Sequence, residues 1–301
     1  MTATADMIIE RRKIRRSRAF WRIAAVVAVV IAIIAVLPRF STDSGPYIAR
    51  VAINDVIFHD SRREEAILKL AKNDDVKAVI IAIDSPGGTL VGSEALYQAF
   101  RTIAEKKPVV AVMQEYAASG GYITALAADY IVARRNTLTG SIGVVMQAPN
   151  IAGLLKKLGV EVNQVKSAPL KAEPSITTPL SPGALKAQQA IIDDAFGWFK
   201  GLVEKRRGIT GEALASASDG RAFTGRQALD KKLVDKIGSV KDARKWLETE
   251  RKVAKGLSIR QIRWRKREQI WPLGQLGQLG RVLDRPERAA ITVPRLFAIV
   301  Q

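Results

Sequence analysis

Two nearly continuous apolar runs limit what this chain can fold into. Val76 to Ile83 and Val109 to Met113 show little polar alternation, as expected of strands buried on both faces. Each leads into a glycine turn. Asp84-Ser85-Pro86-Gly87-Gly88 follows the first, and Ala117-Ala118-Ser119-Gly120-Gly121-Tyr122 follows the second. Helical patterns at Asp60 to Ala71 and Ser93 to Ala104 precede the two runs. Strands alternating with helices at this spacing predict an α/β fold with a largely parallel sheet. Tyr47 to Ile53, Tyr130 to Ala133 and Ile142 to Met146 read as further strands.

Beyond Pro149 the pattern becomes helical. Ile151 to Leu158 reads as a helix, Glu161 to Val165 as a short strand, and Ser167 to Pro182 as a proline-rich loop. Gly183 to Arg207 is a long amphipathic helix with Ile191, Ala195, Trp198 and Leu202 on one side. Asp219 to Ile237 is compact, with a further glycine turn, and Lys241 to Lys252 is a last helix. From Lys255 the globular pattern fades. Trp264 and Trp271 among arginines suggest a segment resting on lipid or on a neighbouring subunit, or a plain basic tail.

The net charge of +19 is concentrated at the ends. Residues 1–22 carry seven basic and two acidic residues, and residues 251–301 carry twelve and three. A body with basic ends suits an anionic membrane surface better than a nucleic-acid-binding core. Ile23 to Leu37 is apolar throughout, close to the roughly 20 residues of a membrane span. The expected organisation is a basic tail (1–22), a transmembrane anchor (23–38), a linker (39–46), a globular domain (47–250) and a basic extension (251–301). Positive charge ahead of the anchor places the N-terminus in the cytoplasm and the globular domain outside it. A signal-peptide core is the alternative for the apolar run.

Ser119 falls where a strand turns into a helix, a geometry able to present a nucleophile with its hydroxyl exposed. The first turn of a helix leaves amide donors free for an oxyanion. Gly120 offers one such donor, and Gly87 or Gly88 in the other turn a second; either turn alone could be an ordinary bend. The chain has no cysteine and one histidine, His59, so neither a thiol nucleophile nor a cysteine metal site is available. His59 sits in a polar loop before a helix and reads as a solvated or capping residue. That leaves a lysine as base, which requires its neutral form. Lys171 stands in a proline-bounded loop between Leu170 and Ala172. Composition does not separate it from Lys166.

Several motifs, in order, resemble the short-form signal peptide peptidase A family. They are Ala118-Ser119-Gly120-Gly121-Tyr122, Thr137-Leu138-Thr139-Gly140-Ser141-Ile142-Gly143-Val144, and Asp84-Ser85-Pro86-Gly87-Gly88. Lys166-Ser167 followed by Lys171 also matches, as does Asp219-Gly220-Arg221 through Thr224-Gly225-Arg226-Gln227-Ala228 to Leu233-Val234-Asp235. The likeness covers about residues 47 to 250. It implies a crotonase-like, Clp protease-like core and a membrane-anchored serine peptidase with a Ser/Lys dyad. Ser119 matches the nucleophile and Lys171 the general base. Gly88 and Gly120 match the oxyanion donors, and Ser141 a supporting serine near the dyad. Ala168-Pro169 departs from the glycine common in the family after the Lys-Ser pair.

The resemblance further implies a ring or dome of identical subunits that complete one another's sites. No metal or other cofactor is implied. The expected substrates are remnant signal peptides and other hydrophobic peptides released in the membrane. The expected location is the plasma (inner) membrane, single-pass, with the catalytic domain on the periplasmic side. Two other readings remain: an acyl-CoA-processing crotonase-type enzyme, and a non-catalytic membrane scaffold or chaperone of the same fold.

Overall fold

The computed structural model describes residues 20–31, 45–264 and 297–299. The chain divides into two units, residues 1–45 and 46–301. In the first, residues 20–31 form a helix, α1, with mostly exposed side chains. Among the described residues no helix is long and apolar enough to cross a membrane. The rest of the expected anchor, nearly all of the basic tail and most of the linker lie outside the described residues.

The second unit opens with β1 (Tyr47–Asn54), α2 (Ser61–Lys72), β2 (Val76–Ser85), β3 (Gly87–Thr89) and α3 (Leu90–Ala104). Then come β4 (Val109–Ala118), α4 (Gly120–Ala125), β5 (Tyr130–Ala133) and β6 (Leu138–Gly140). The helices α5 (Ala152–Lys157), α6 (Pro182–Arg207) and α7 (Gly211–Ala217) follow. The chain continues through β7 (Ala222–Thr224), α8 (Gly225–Asp230), β8 (Lys236–Ile237), α9 (Val240–Thr249), β9 (Ser258–Gln261) and β10 (Phe297–Ile299).

The main sheet runs β7-β6-β4-β2-β1-β9, with β5 and β8 attached beside β4. All its pairings are parallel except β6 with β7, so the sheet is largely parallel, as expected, with one antiparallel pair. Alternate residues of β2 and β4 face two apolar layers. Val79, Ile81, Ile83, Ala111 and Met113 pack toward Phe100, Ile103, Tyr122 and Phe199. Ala78, Ile80, Val110 and Val112 pack toward Ala243 and Leu247 of α9. Burying a Val or Ile side chain stabilises by about 1.5–3 kcal/mol, whereas an exposed ion pair adds about 0–1. The apolar runs therefore set the strand positions.

Caps explain where several helices begin. Asp60 accepts from the amides of Arg62 and Arg63 at 3.0 and 3.3 Å at the start of α2. Ser181 caps α6, Pro182 occupies its first turn, and Gly208, at φ +63°, ends it. Thr224 with Gln227 and Ser239 with Asp242 form capping boxes on α8 and α9.

Four expectations change. The strand expected at Ile142 to Met146 lies earlier, at β6, because Gly140 and Ser141 take φ of +77° and +47° and turn the chain out of the sheet. Among the described residues Glu161 to Val165 has no strand partner, and Val165 is fully exposed, so no neighbouring strand turns its alternating pattern into a sheet. In α6, Ile191 is exposed; the core side is Ala195, Phe199, Leu202 and Val203. Finally, β9 pairs with β1 and Trp264 packs against the core, so the sheet extends into the basic extension. Trp271 lies outside the described residues.

Candidate active site

β4 leads into the Ser119 turn through three local devices. Its pairing with β2 is regular to Ile83↔Met113 and resumes at Ser85↔Ala117, leaving a bulge between them, as occurs next to many active sites. The Tyr116 amide donates to Asp84 Oδ1 at 3.1 Å and holds the bulged strand. Along its other edge β4 pairs first with β5 and then with β6, ending at Ala118↔Gly140.

Ser119 follows immediately, with φ +53° and ψ −115°. A non-glycine residue there is strained by about 1–3 kcal/mol. The geometry is that of a nucleophile on a sharp strand-to-helix turn. The hydroxyl is not exposed as expected: Ser119 is 1 % exposed, because β3, β6 and β10 all contact α4 at this point. Its Oγ is buried and, among the described residues, makes no hydrogen bond.

The two candidate oxyanion glycines meet here. A Cβ on Gly120 would lie 3.1 Å from the Gly88 nitrogen and 2.2 Å from Ser93 Oγ. A Cβ on Gly88 would lie 2.0 Å from the Ile57 carbonyl oxygen. Neither position has room for a side chain. Gly87 O accepts from Ile57 N, and Thr89 N donates to Ile57 O, both at 2.8 Å. Strand alternation then turns the Gly88 amide to the opposite edge. On that edge β10 runs antiparallel to β3, with Ala298 opposite Gly88.

α4 is wholly buried and tied at its far end. Arg101 donates to Ala127 O at 3.0 Å, and Arg206 donates to Leu126 O and Ala128 O at 2.8 Å. The Tyr122 hydroxyl donates to Leu233 O at 2.8 Å, and burial pushes its phenol pKa far above the ordinary value. Ser141, the expected supporting serine, is buried next to Ser119: the Ser119 amide donates to Gly140 O at 2.8 Å, and the Ser141 amide to Arg221 O at 3.0 Å.

The two lysines differ sharply. Lys166 Nζ donates to Glu173 Oε1 at 2.6 Å. Lys171 is exposed, with no ion pair or side-chain hydrogen bond among the described residues. It is not bonded to Ser119, whose Oγ has no partner. His59 Nε2 pairs with Glu64 Oε2 at 3.2 Å at the start of α2, as a solvated loop histidine would. The sequence reading missed Ser93, which backs Gly120, and Glu173, which engages Lys166. Neither stands in a recognisable motif or periodicity.

Residues 101–254, about half of the chain, match Peptidase family S49. A Synechocystis sp. protein that bears a protease name is 39% identical over 213 residues, 70% of this chain and 76% of that one. An Enterococcus faecium protein that bears a signal peptide peptidase name is 35% identical over 186 residues, 62% of this chain and 54% of that one. Among solved structures, a membrane-bound stomatin-specific protease overlays with a TM-score of 0.46 at 16% identity, covering 73% of this chain and 99% of that one.

Proposed function

Because the chain belongs to peptidase family S49, we propose that it is a serine endopeptidase working through Ser119 and Lys171. The observation that carries this reading is the Ser119 hydroxyl, buried and without a partner on a strained turn. An unpaired buried hydroxyl costs about 1–3 kcal/mol. A fold that bears this cost together with backbone strain has a use for both at that position.

Neutral Lys171 takes the Ser119 proton as Oγ bonds to the scissile carbonyl carbon. The oxyanion faces the amides of Gly88 and Gly120. The C–N bond breaks, and the leaving amine takes the proton from Lys171. Water, losing a proton to Lys171, then hydrolyses the acyl ester, and Ser119 recovers its proton. Ser141, one residue beyond the carbonyl that holds Ser119, orients the lysine.

Within one protomer Lys171 does not reach Ser119. It rides on residues 150–181, a stretch with exposed Leu154, Leu158, Val165, Leu170 and Leu180. This supports a homo-oligomer in which the stretch packs on the next copy and brings Lys171 to that copy's serine. Substrates are remnant signal peptides and other apolar peptides released in the membrane. The β10–β3 pairing supports a main chain docking in extended form along β3. Residues 23–38 anchor the chain in the plasma membrane, with the catalytic domain on the periplasmic side.

The test is cleavage of a fluorogenic apolar peptide, with labelling by a serine-directed probe. Ser119→Ala abolishes both. Lys171→Ala abolishes cleavage, and retained cleavage in either variant overturns the dyad.

A further inference from the structure

The loop that carries Lys171 has a fastening of its own. Residues 158–181 contain no helix or strand, so nothing regular sets the height or direction of Lys171. Most side chains from Gly159 to Leu170 are exposed, but Lys166 is tucked in. With Glu173 it forms the least exposed ion pair among the described residues, the two side chains 18% and 11% exposed. Glu173 is held from three further directions. Its Oε2 accepts from the Ser175 amide at 3.1 Å. Its carbonyl accepts from Gln188 Nε2 of α6 at 3.2 Å. Its own amide donates to Leu170 O at 3.3 Å. Gln164 adds a bond to Ser175 Oγ at 3.1 Å.

Lys171 lies inside this closed loop. Its amide donates to Ala168 O at 3.0 Å, and Ala172, at φ +62°, turns the chain immediately after it. Its own side chain is left out in solvent. Lys166 instead points its Nζ at Glu173.

We infer that Lys166 and Glu173 are positioning residues, an ionic clasp that fixes the turn from which Lys171 reaches the nucleophile. The inference rests on Lys171 being the general base. A lysine on a four-carbon stem abstracts a proton only within hydrogen-bond reach, about 2.6–3.2 Å. A displacement of about 1 Å costs on the order of 100-fold in rate. The clasp links α6 to the base loop through Gln188, and so gives the lysine a rigid origin. A low-exposure pair suits that task, because solvent and salt screen it less than a surface pair.

The experiment measures kcat, KM and their pH profiles on the full-length protein in detergent, with Lys166→Met, Lys166→Arg, Glu173→Gln and Lys171→Ala. Lys166→Met is expected to lower kcat by about 10–100-fold with KM within about twofold. Lys166→Arg, which keeps the cation, recovers most of the rate. Glu173→Gln, close to isosteric, serves where Lys166→Met fails to fold, and lowers kcat likewise. The pH midpoint of kcat stays in place, since the clasp acts through position. Wild-type kcat in Lys166→Met or Glu173→Gln overturns the clasp, and so does an arginine variant as slow as the methionine variant. Should Lys171→Ala remain active, the base assignment falls and the clasp with it. If Lys171→Ala is inactive while Lys166→Met is fully active, the clasp alone falls.

Discussion

The Ser119 amide donates to the Gly140 carbonyl oxygen at 2.8 Å. This bond continues the β4–β6 ladder by one step past Ala118. It ties the Ser119 turn to the turn that carries Ser141, so the two serines share one support. Strain at Ser119 is sustained because the ladder on one side and buried α4 on the other leave the backbone no alternative.

Replacing Ser119 by glycine relieves the positive φ at no steric cost. Ser119→Gly is expected to be inactive yet to unfold at equal or higher denaturant concentration than Ser119→Ala, with a difference of about 1 kcal/mol. Urea denaturation of the two variants measures it. A less stable glycine variant would show that the turn is not strained.

Gly120→Ala puts a methyl group 2.2 Å from Ser93 Oγ and 3.1 Å from the Gly88 nitrogen. Activity is expected to fall about 100-fold or more, the cost of disturbing one oxyanion donor. Ser93→Ala in the same chain opens space and is expected to restore part of the rate. Steady-state kinetics on the single and double variants checks both.

Mixing two inactive proteins tests the shared site. If each serine uses the next copy's lysine, a randomly mixed assembly of Ser119→Ala and Lys171→Ala chains regains about one quarter of its sites. Activity that appears only after dissociation and reassembly supports this arrangement. No recovery in a mixed oligomer places the lysine in the same chain as its serine.

Tyr122→Phe removes the bond to Leu233 O and leaves that carbonyl without this donor. A loss of about 1–3 kcal/mol is expected, read as a lower urea midpoint.

The hydrogen bond from Lys166 holds the Glu173 carboxyl below its usual 4.5; burial opposes this, and the Ser175 amide adds to it. A depressed folded-state value means the carboxylate stabilises the fold above the ordinary range, and that share is lost as pH falls through the folded value. Between about pH 6 and pH 3 the wild type is therefore expected to lose stability more steeply than Glu173→Gln. Urea titrations across that range give the two slopes.

Much of the frame was legible because it rests on local signals. The runs at Val76 and Val109 became the central strands β2 and β4, since burial on both faces leaves a continuous apolar stretch. The glycine turns at Gly88 and Gly120 were visible as chain punctuation. The Ile142 strand was misplaced because two residues of positive φ, Gly140 and Ser141, take the chain out of the sheet before the apolar run begins, and of that run only Ile142 is buried in the core. Glu161 to Val165 has strand-like composition without a neighbour to pair with, which no local pattern reports.

By itself the sequence determined the α/β class and the two glycine turns, and it singled out Ser119 and the candidate bases. These follow from periodicity, from glycine's freedom and from the absence of cysteine. Only the tertiary structure decided that Gly88 and Gly120 lie side by side, although they stand 32 positions apart in the sequence. It alone decided that Lys166 pairs with Glu173 while Lys171 has no ion pair among the described residues. Ion pairing across an irregular loop depends on where the chain folds back, and that is settled by packing between distant segments.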